Sequence, residues 1–182
     1  MTKTNRNNNV FPEFHQVAIH VPFDHHDTAV AMLSKLGNGE WSHDAATLVG
    51  EAWDATAGMY KESRIQGLMS FNYTMLGGRE LEVLSYEGES HHSLAGTDLS
   101  NPNGFISHMS THVDDADVAG AEWAAKFEDQ GVRVVHRFET FNHVNPAIRE
   151  KKRFKEVVLG TRHVLGYDLK FIERLTEGPW TI

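Results

Sequence analysis

The chain says nearly the same thing twice. HQVAIHVPFD at 15–24 and HMSTHVDDAD at 108–117 both carry a His-Val pair, acidic residues and then a helical pattern. His20-Val21 aligns with His112-Val113 at an offset of 92 residues, and GRELEVLSY at 78–86 aligns with GYDLKFIER at 166–174, Leu81 on Leu169, at an offset of 88. Offsets this close indicate a tandem duplication, in which each half is one supersecondary unit.

Periodicity gives both halves the same order. In the first, Val17, Ile19 and Val21 form the apolar face of a strand, and Val30, Leu33 and Leu36 recur at helical spacing before Gly37. Strands are expected around 44–50, 67–76 and 79–86, with 51–66 a polar excursion, either a short helix or a loop over a site. In the second, a strand over about 105–113 precedes a helix over about 115–130, with Ala119, Trp123 and Phe127 on one face and Gly131 as its stop. Strands follow around 132–141, 153–160 and 167–175. Residues 1–11 read as a disordered polar lead, 12–86 as the first module, 87–104 (EGESHHSLAGTDLSNPNG) as a turn-rich linker, and 105–182 as the second module. The expected fold class is α+β: two tandem βαβββ modules whose curved mixed sheets form a shared cup.

Strand side chains alternate between faces. Opposite the apolar residues lie Gln16, Ala18 and His20; Glu80, Glu82 and Leu84; His108, Ser110 and His112; and Asp168, Lys170 and Ile172. A wet sheet face would explain any one of these strands. In a duplicated chain, two modules paired edge to edge would turn all four toward one cavity. His108 and His112 cannot grip one ion along a strand, since residues four apart are roughly 13 Å from each other.

Composition narrows the chemistry. The 182 residues, 40% hydrophobic, suit one globular domain or two small fused modules. With 25 Asp+Glu against 17 Lys+Arg, the net charge of -8 argues against a nucleic-acid partner. REKKR at 149–153 reads as a solvated basic run. The chain has no cysteine, so disulfides and thiolate metal sites are excluded and a reducing cytoplasmic location is expected. The N-terminal MTKTNRNNN is neither a signal peptide nor an anchor, and no apolar run is long enough to span a bilayer, so no membrane partner is expected. Any metal site must draw on the 12 histidines, on carboxylates or on amides.

HQVAIHVPFD, RELEVLSY and TRHVLGYDLKF together resemble the vicinal oxygen chelate superfamily, which includes glyoxalase I, bleomycin-binding proteins and extradiol ring-cleavage dioxygenases. The resemblance covers almost the whole chain after about residue 12. It implies a metal held by one residue from each module's first strand and one carboxylate from each last strand. Position by position, these fall on Gln16, His108, Glu82 and Lys170. Lysine is the departure, because a protonated amine cannot donate to a metal and its charge opposes one. Glu173 replaces it only if a bulge reverses the parity of the last strand, and His15 replaces Gln16 only on the same condition.

Two functional readings follow from the resemblance. In the first, Gln16, Glu82 and His108 hold zinc, nickel or manganese, and Glu80 or Asp168 moves a proton while the metal polarises paired substrate oxygens. With His15 in place of Gln16, two histidines and a carboxylate suit non-haem iron and ring-cleavage dioxygenase chemistry. In the second, the site is metal-free, and Lys170 pairs with Glu82 to anchor an anionic ligand or serves as an amine nucleophile. The protein is then a sequestering module or a metal-independent enzyme. His20 and His112 are candidates for orienting substrate or shuttling a proton. Asn72, His143 and Arg149 are candidates for substrate contact, the last two in an irregular segment at 139–154. His25-His26 and His91-His92 read as solvent-facing turn residues, and Phe71, Tyr73 and Trp123 as core. The expected partner is a small molecule, and a homodimer is compatible with modules of this kind.

Overall fold

The computed structural model describes residues 13–35, 41–76, 78–86, 104–141 and 153–176. Among them, the first module runs β1 (Gln16–His20), α1 (His26–Leu33), β2 (Ser42–Asp54), β3 (Met59–Leu76) and β4 (Arg79–Tyr86). The second runs β5 (Phe105–Val113), α2 (Ala116–Lys126), β6 (Val134–Phe141), β7 (Phe154–Leu159), a one-turn α3 (Arg162–Leu165) and β8 (Asp168–Arg174). The expected βαβββ order therefore appears twice.

The strands order as β1-β4-β3-β2-β6-β7-β8-β5, and the ring closes on itself. Each module pairs its first and last strands in parallel, Gln16 opposite Glu80 and His108 opposite Asp168. Two antiparallel seams join the modules, β1–β5 and β2–β6. The cup is thus sealed at both edges, and among the described residues no edge strand is left to template further pairing.

The helices lie outside the ring. Asp115 caps α2, its carboxylate accepting from the Val118 amide at 2.9 Å, and Glu173 of β8 accepts from the Ala116 amide at 3.1 Å. Glu173 therefore serves the helix, and no bulge turns it toward the cup. Gly120 lets α2 settle onto β7, since a Cβ there would lie 2.5 Å from the Val157 side chain. Beneath it, Ala116, Val132, Val134, Val157, Leu159, Leu169 and Phe171 form the buried core, with Ala119, Trp123 and Phe127 packed against it as their spacing predicts. Each large apolar side chain buried there contributes about 1.5–3 kcal/mol.

Two local expectations fail. The 51–66 segment is neither helix nor loop: β2 and β3 continue through it as a hairpin pairing Gly50 with Ser63 and Asp54 with Met59. The hairpin stays docked on the second module: Glu51 and Ala52 pair with β6, and Tyr60 packs against the core. Asp54 holds the tip by accepting from the Thr56 and Ala57 amides, and Gly58 supplies the positive φ of 64° that the turn needs. His26 is buried rather than solvent-facing, its Nδ1 2.8 Å from Ser85 Oγ, pinning α1 to β4. His91-His92, Leu36 and Gly37 lie outside the described residues.

Candidate functional site

Parity and register bring the polar faces together. Gln16 lies opposite both Glu80 and Ser110, Ala18 opposite both Glu82 and His108, and Ser110 opposite Lys170. Ala18 is fully buried and small. Its methyl group leaves room for Glu82 and His108 to meet over β1, with Glu82 Oε2 3.4 Å from His108 Nε2. This contact joins β4 of one module to β5 of the other.

A hydrogen-bond chain fixes the orientation of each group. Gln16 Nε2 donates to Glu80 Oε1. A carboxylate can only accept, so the Gln16 amide oxygen must point the other way. That oxygen accepts from Ser110 Oγ at 2.7 Å and lies 3.3 Å from His108 Nε2. His108 Nε2 thus faces two acceptor oxygens, and its Nδ1 lies 3.1 Å from Ser107 Oγ. Burial, followed by the Lys170 charge, lowers the His108 pKa, and the Glu82 carboxylate does not offset them. A neutral ring in this setting carries its proton on Nε2.

Lys170 pairs with Glu156 of β7, Nζ to Oε1 2.8 Å, and not with Glu82 as its place in the duplication predicts. Glu156 lies on the adjacent strand, within direct reach. Burial alone would depress the Lys170 amine, but the carboxylates of Glu156, Glu82 and Glu80 outweigh it and hold the pKa above its ordinary value. That direction opposes the free-amine form that a nucleophile needs. Glu156 escaped sequence reasoning because its strand carried no motif. The inward parity of FKEVVL was its available signal.

Other candidates take different places. Asp168 Oδ1 accepts from the Thr161 and Arg162 amides at 3.2 and 3.1 Å, and Oδ2 accepts from Arg162 at 3.1 Å. Asp168 thereby holds the β7–β8 connection rather than standing ready as a base. Glu80 orients Gln16. His15 is exposed, and the irregularity in β1 falls between Ala18 and Ile19, too late to turn it inward. The two-histidine, one-carboxylate triad is accordingly not assembled.

His20 and His112 sit at opposite ends of the antiparallel β1–β5 seam. His20 is buried and stacked on Phe105 at 4.8 Å. His112 meets His15 edge-on at 5.2 Å. Both pKa values are lowered to about 4, by burial first, then by Arg162 for His20 and by Arg174, His15 and Lys170 for His112. The register sets Asn72 opposite Val83 and Tyr73 opposite Glu82. His143 and Arg149 fall outside the described residues.

Three of the four ligand positions, Gln16, Glu82 and His108, converge, and the fourth is Lys170. Among the described residues no group of three or more His, Asp or Glu side chains is arranged to hold a metal ion. Of the four ligand positions, the fourth carries an ammonium, which has no lone pair to give.

The architecture is the vicinal oxygen chelate fold. Among solved structures it is similar to methylmalonyl-CoA epimerase from Mycobacterium tuberculosis, at 13% identity and a TM-score of 0.51, over 96% of this chain and 95% of that one. It is likewise similar to a variant of the Streptomyces coelicolor methylmalonyl-CoA epimerase in complex with 2-nitronate-propionyl-CoA, at 13% identity and a TM-score of 0.50, over 92% and 100%. A mutant 4-hydroxymandelate synthase from Streptomyces coelicolor aligns at 11% identity and a TM-score of 0.48, over 97% of this chain and 52% of that one. No family model and no curated protein matches the sequence.

Proposed function

We propose that the cup binds a small oxygen-bearing organic molecule without a metal, and that Lys170 supplies the positive charge that a chelated ion would otherwise bring to the substrate oxygen. The single observation behind this reading is the buried Lys170–Glu156 pair at the fourth ligand position. A fold that hosts several chemistries does not choose among them, so the residues carry the reading. An ammonium has three N–H donors. One is used on Glu156, and the others suit a carbonyl oxygen whose polarisation eases removal of a neighbouring proton. Glu82, beside the His108 N–H, is the carboxylate placed to take that proton, which gives a lyase or isomerase type of reaction.

Glu80, Glu82 and Glu156 all bear on the one Lys170 charge. This excess of carboxylate favours a neutral carbonyl or hydroxyl ligand over the anionic one expected from sequence. Among the described residues no helix is long and apolar enough to cross a membrane. A cytoplasmic location and a homodimer belong to the same proposal, the latter checked by light scattering.

The test is metal content. After incubation with iron, zinc, nickel or manganese, the wild-type protein is expected to retain less than about a tenth of an equivalent, and K170E, which supplies a fourth carboxylate, close to one. Stoichiometric metal in the wild type would overturn the reading and favour a three-ligand site, for which the convergence of Gln16, Glu82 and His108 is the supporting observation. A thermal-shift screen of small neutral carbonyl compounds against matching carboxylates is expected to favour the former.

A further inference from the structure

Arg162 lies in TRHVLGYDLKF but outside the repeated segments, and its contacts reach several supports of the centre. From α3 its guanidinium donates to the Ser107 carbonyl at 2.6 Å, to the Ile106 carbonyl at 3.1 Å and to the Gly166 carbonyl at 3.3 Å. It also pairs with Asp168 at 3.1 Å. Its plane lies over the Phe105 ring at 5.0 Å, and that same ring stacks on His20. Five consecutive donors in one rigid fork suit this task as no lysine could.

The backbone it grips leads into His108. Ser107 is buried, and its Oγ lies 3.1 Å from His108 Nδ1, on the ring edge away from Glu82 and Gln16. A hydroxyl that donates to Nδ1 leaves the ring proton on Nε2. Asp168, the other residue in the Arg162 grip, is the register partner of His108 across β5–β8.

We propose that Arg162 is the positioning residue of this centre: by fixing β5 at Ile106 and Ser107, it lets Ser107 hold His108 as the Nε2–H tautomer, so that the site offers a hydrogen-bond donor to its ligand. The proposal rests on the metal-independent reading and extends it to ligand class, since a donor centre selects a ligand with an acceptor oxygen.

Long-range proton–nitrogen NMR of the full-length protein, kept in chelator, reads the tautomer directly. In the wild type, His108 is expected to show a protonated Nε2 and an unprotonated Nδ1. S107A and R162A are each expected to replace that pattern with exchange-averaged nitrogen shifts at His108, while the buried His26 ring keeps its wild-type shifts and reports an intact fold. R162K should restore the pattern only in part. A protonated Nδ1 in the wild type overturns the tautomer assignment. An unchanged His108 in R162A, with S107A perturbed, overturns the role of Arg162. If R162A loses the His26 signals as well, R162K decides, and an unchanged His108 there overturns the proposal. Because the spectra are recorded without metal, none of these outcomes coincides with failure of the metal-content test.

Discussion

Lys170 Nζ lies 2.8 Å from Glu156 Oε1, diagonally across the β7–β8 ladder, and both side chains face the interior. Taking two charges out of water costs several kcal/mol each, and their attraction repays this only while both are present. K170M or E156Q alone is therefore expected to destabilise the protein by about 3–5 kcal/mol, through the uncompensated charge or donor left behind. The double variant K170M/E156L should recover most of that loss. Urea denaturation of the four proteins checks it. Single variants as stable as the wild type would show that water reaches the pair.

His20 makes stability depend on pH. Its folded pKa of about 4 lies below the ordinary 6.5, because burial and then the Arg162 charge oppose protonation. The unfolded chain takes up the proton first as pH falls. The contribution is fully present above about pH 6.5, drains away as pH drops toward 4, and is gone below that value. H20F keeps the stack on Phe105 and removes the titration, so its stability between pH 7 and 4.5 should fall by about 1–3 kcal/mol less than that of the wild type. The slope will not vanish, because His112 is shifted in the same direction. Parallel pH profiles for the two proteins would show that His20 is hydrated.

The duplication made the βαβββ order and the inward faces legible, because both follow from period and register. Gln16, Glu82 and His108 are placed as ligand positions by the family resemblance. What stayed hidden depends on neighbours that no repeat encodes. Lys170 found Glu156 on the adjoining strand, and Ala18 mattered for being small. Asp168 looked like a base until Arg162 and the β7–β8 turn took up its oxygens. The polar run at 51–66 misled because its strand character comes from pairing between β2 and β3 and with β6, which local polarity does not reveal.

Glu173 and Asp115 cap α2 from different elements. Removing either leaves an amide at the helix start without its acceptor, at a cost of about 1 kcal/mol, and the charge of each also favours the helix N-terminus. E173A is expected to cost about that much and, since its carboxylate faces the helix, to leave the metal affinity of the K170E variant unchanged. Thermal denaturation and metal titration of K170E/E173A separate the two effects. Loss of metal binding there would place Glu173 in the cup after all.

Gly50 sits at the β2–β6 seam, opposite Phe138, where a Cβ would lie 1.8 Å from the Arg137 carbonyl oxygen. That atom belongs to the backbone of the other module and cannot swing aside, so any side chain must force the strands apart. Nearby, the Tyr60 hydroxyl donates to the Val134 carbonyl at 2.7 Å and ties the β3 arm to the same strand. G50A is therefore expected to cost about 2 kcal/mol or more, with the damage confined to one seam. In hydrogen exchange, the amides of Arg137–Thr140 should lose protection, while those of Gln16–Ala18 and His108–Ser110 keep theirs. Y60F, which removes only the hydroxyl, should cost about 1 kcal/mol and open the same amides less. Exchange that rises equally at both seams would mean that the ring opens as a unit, and that Gly50 does not hold its seam independently of the centre.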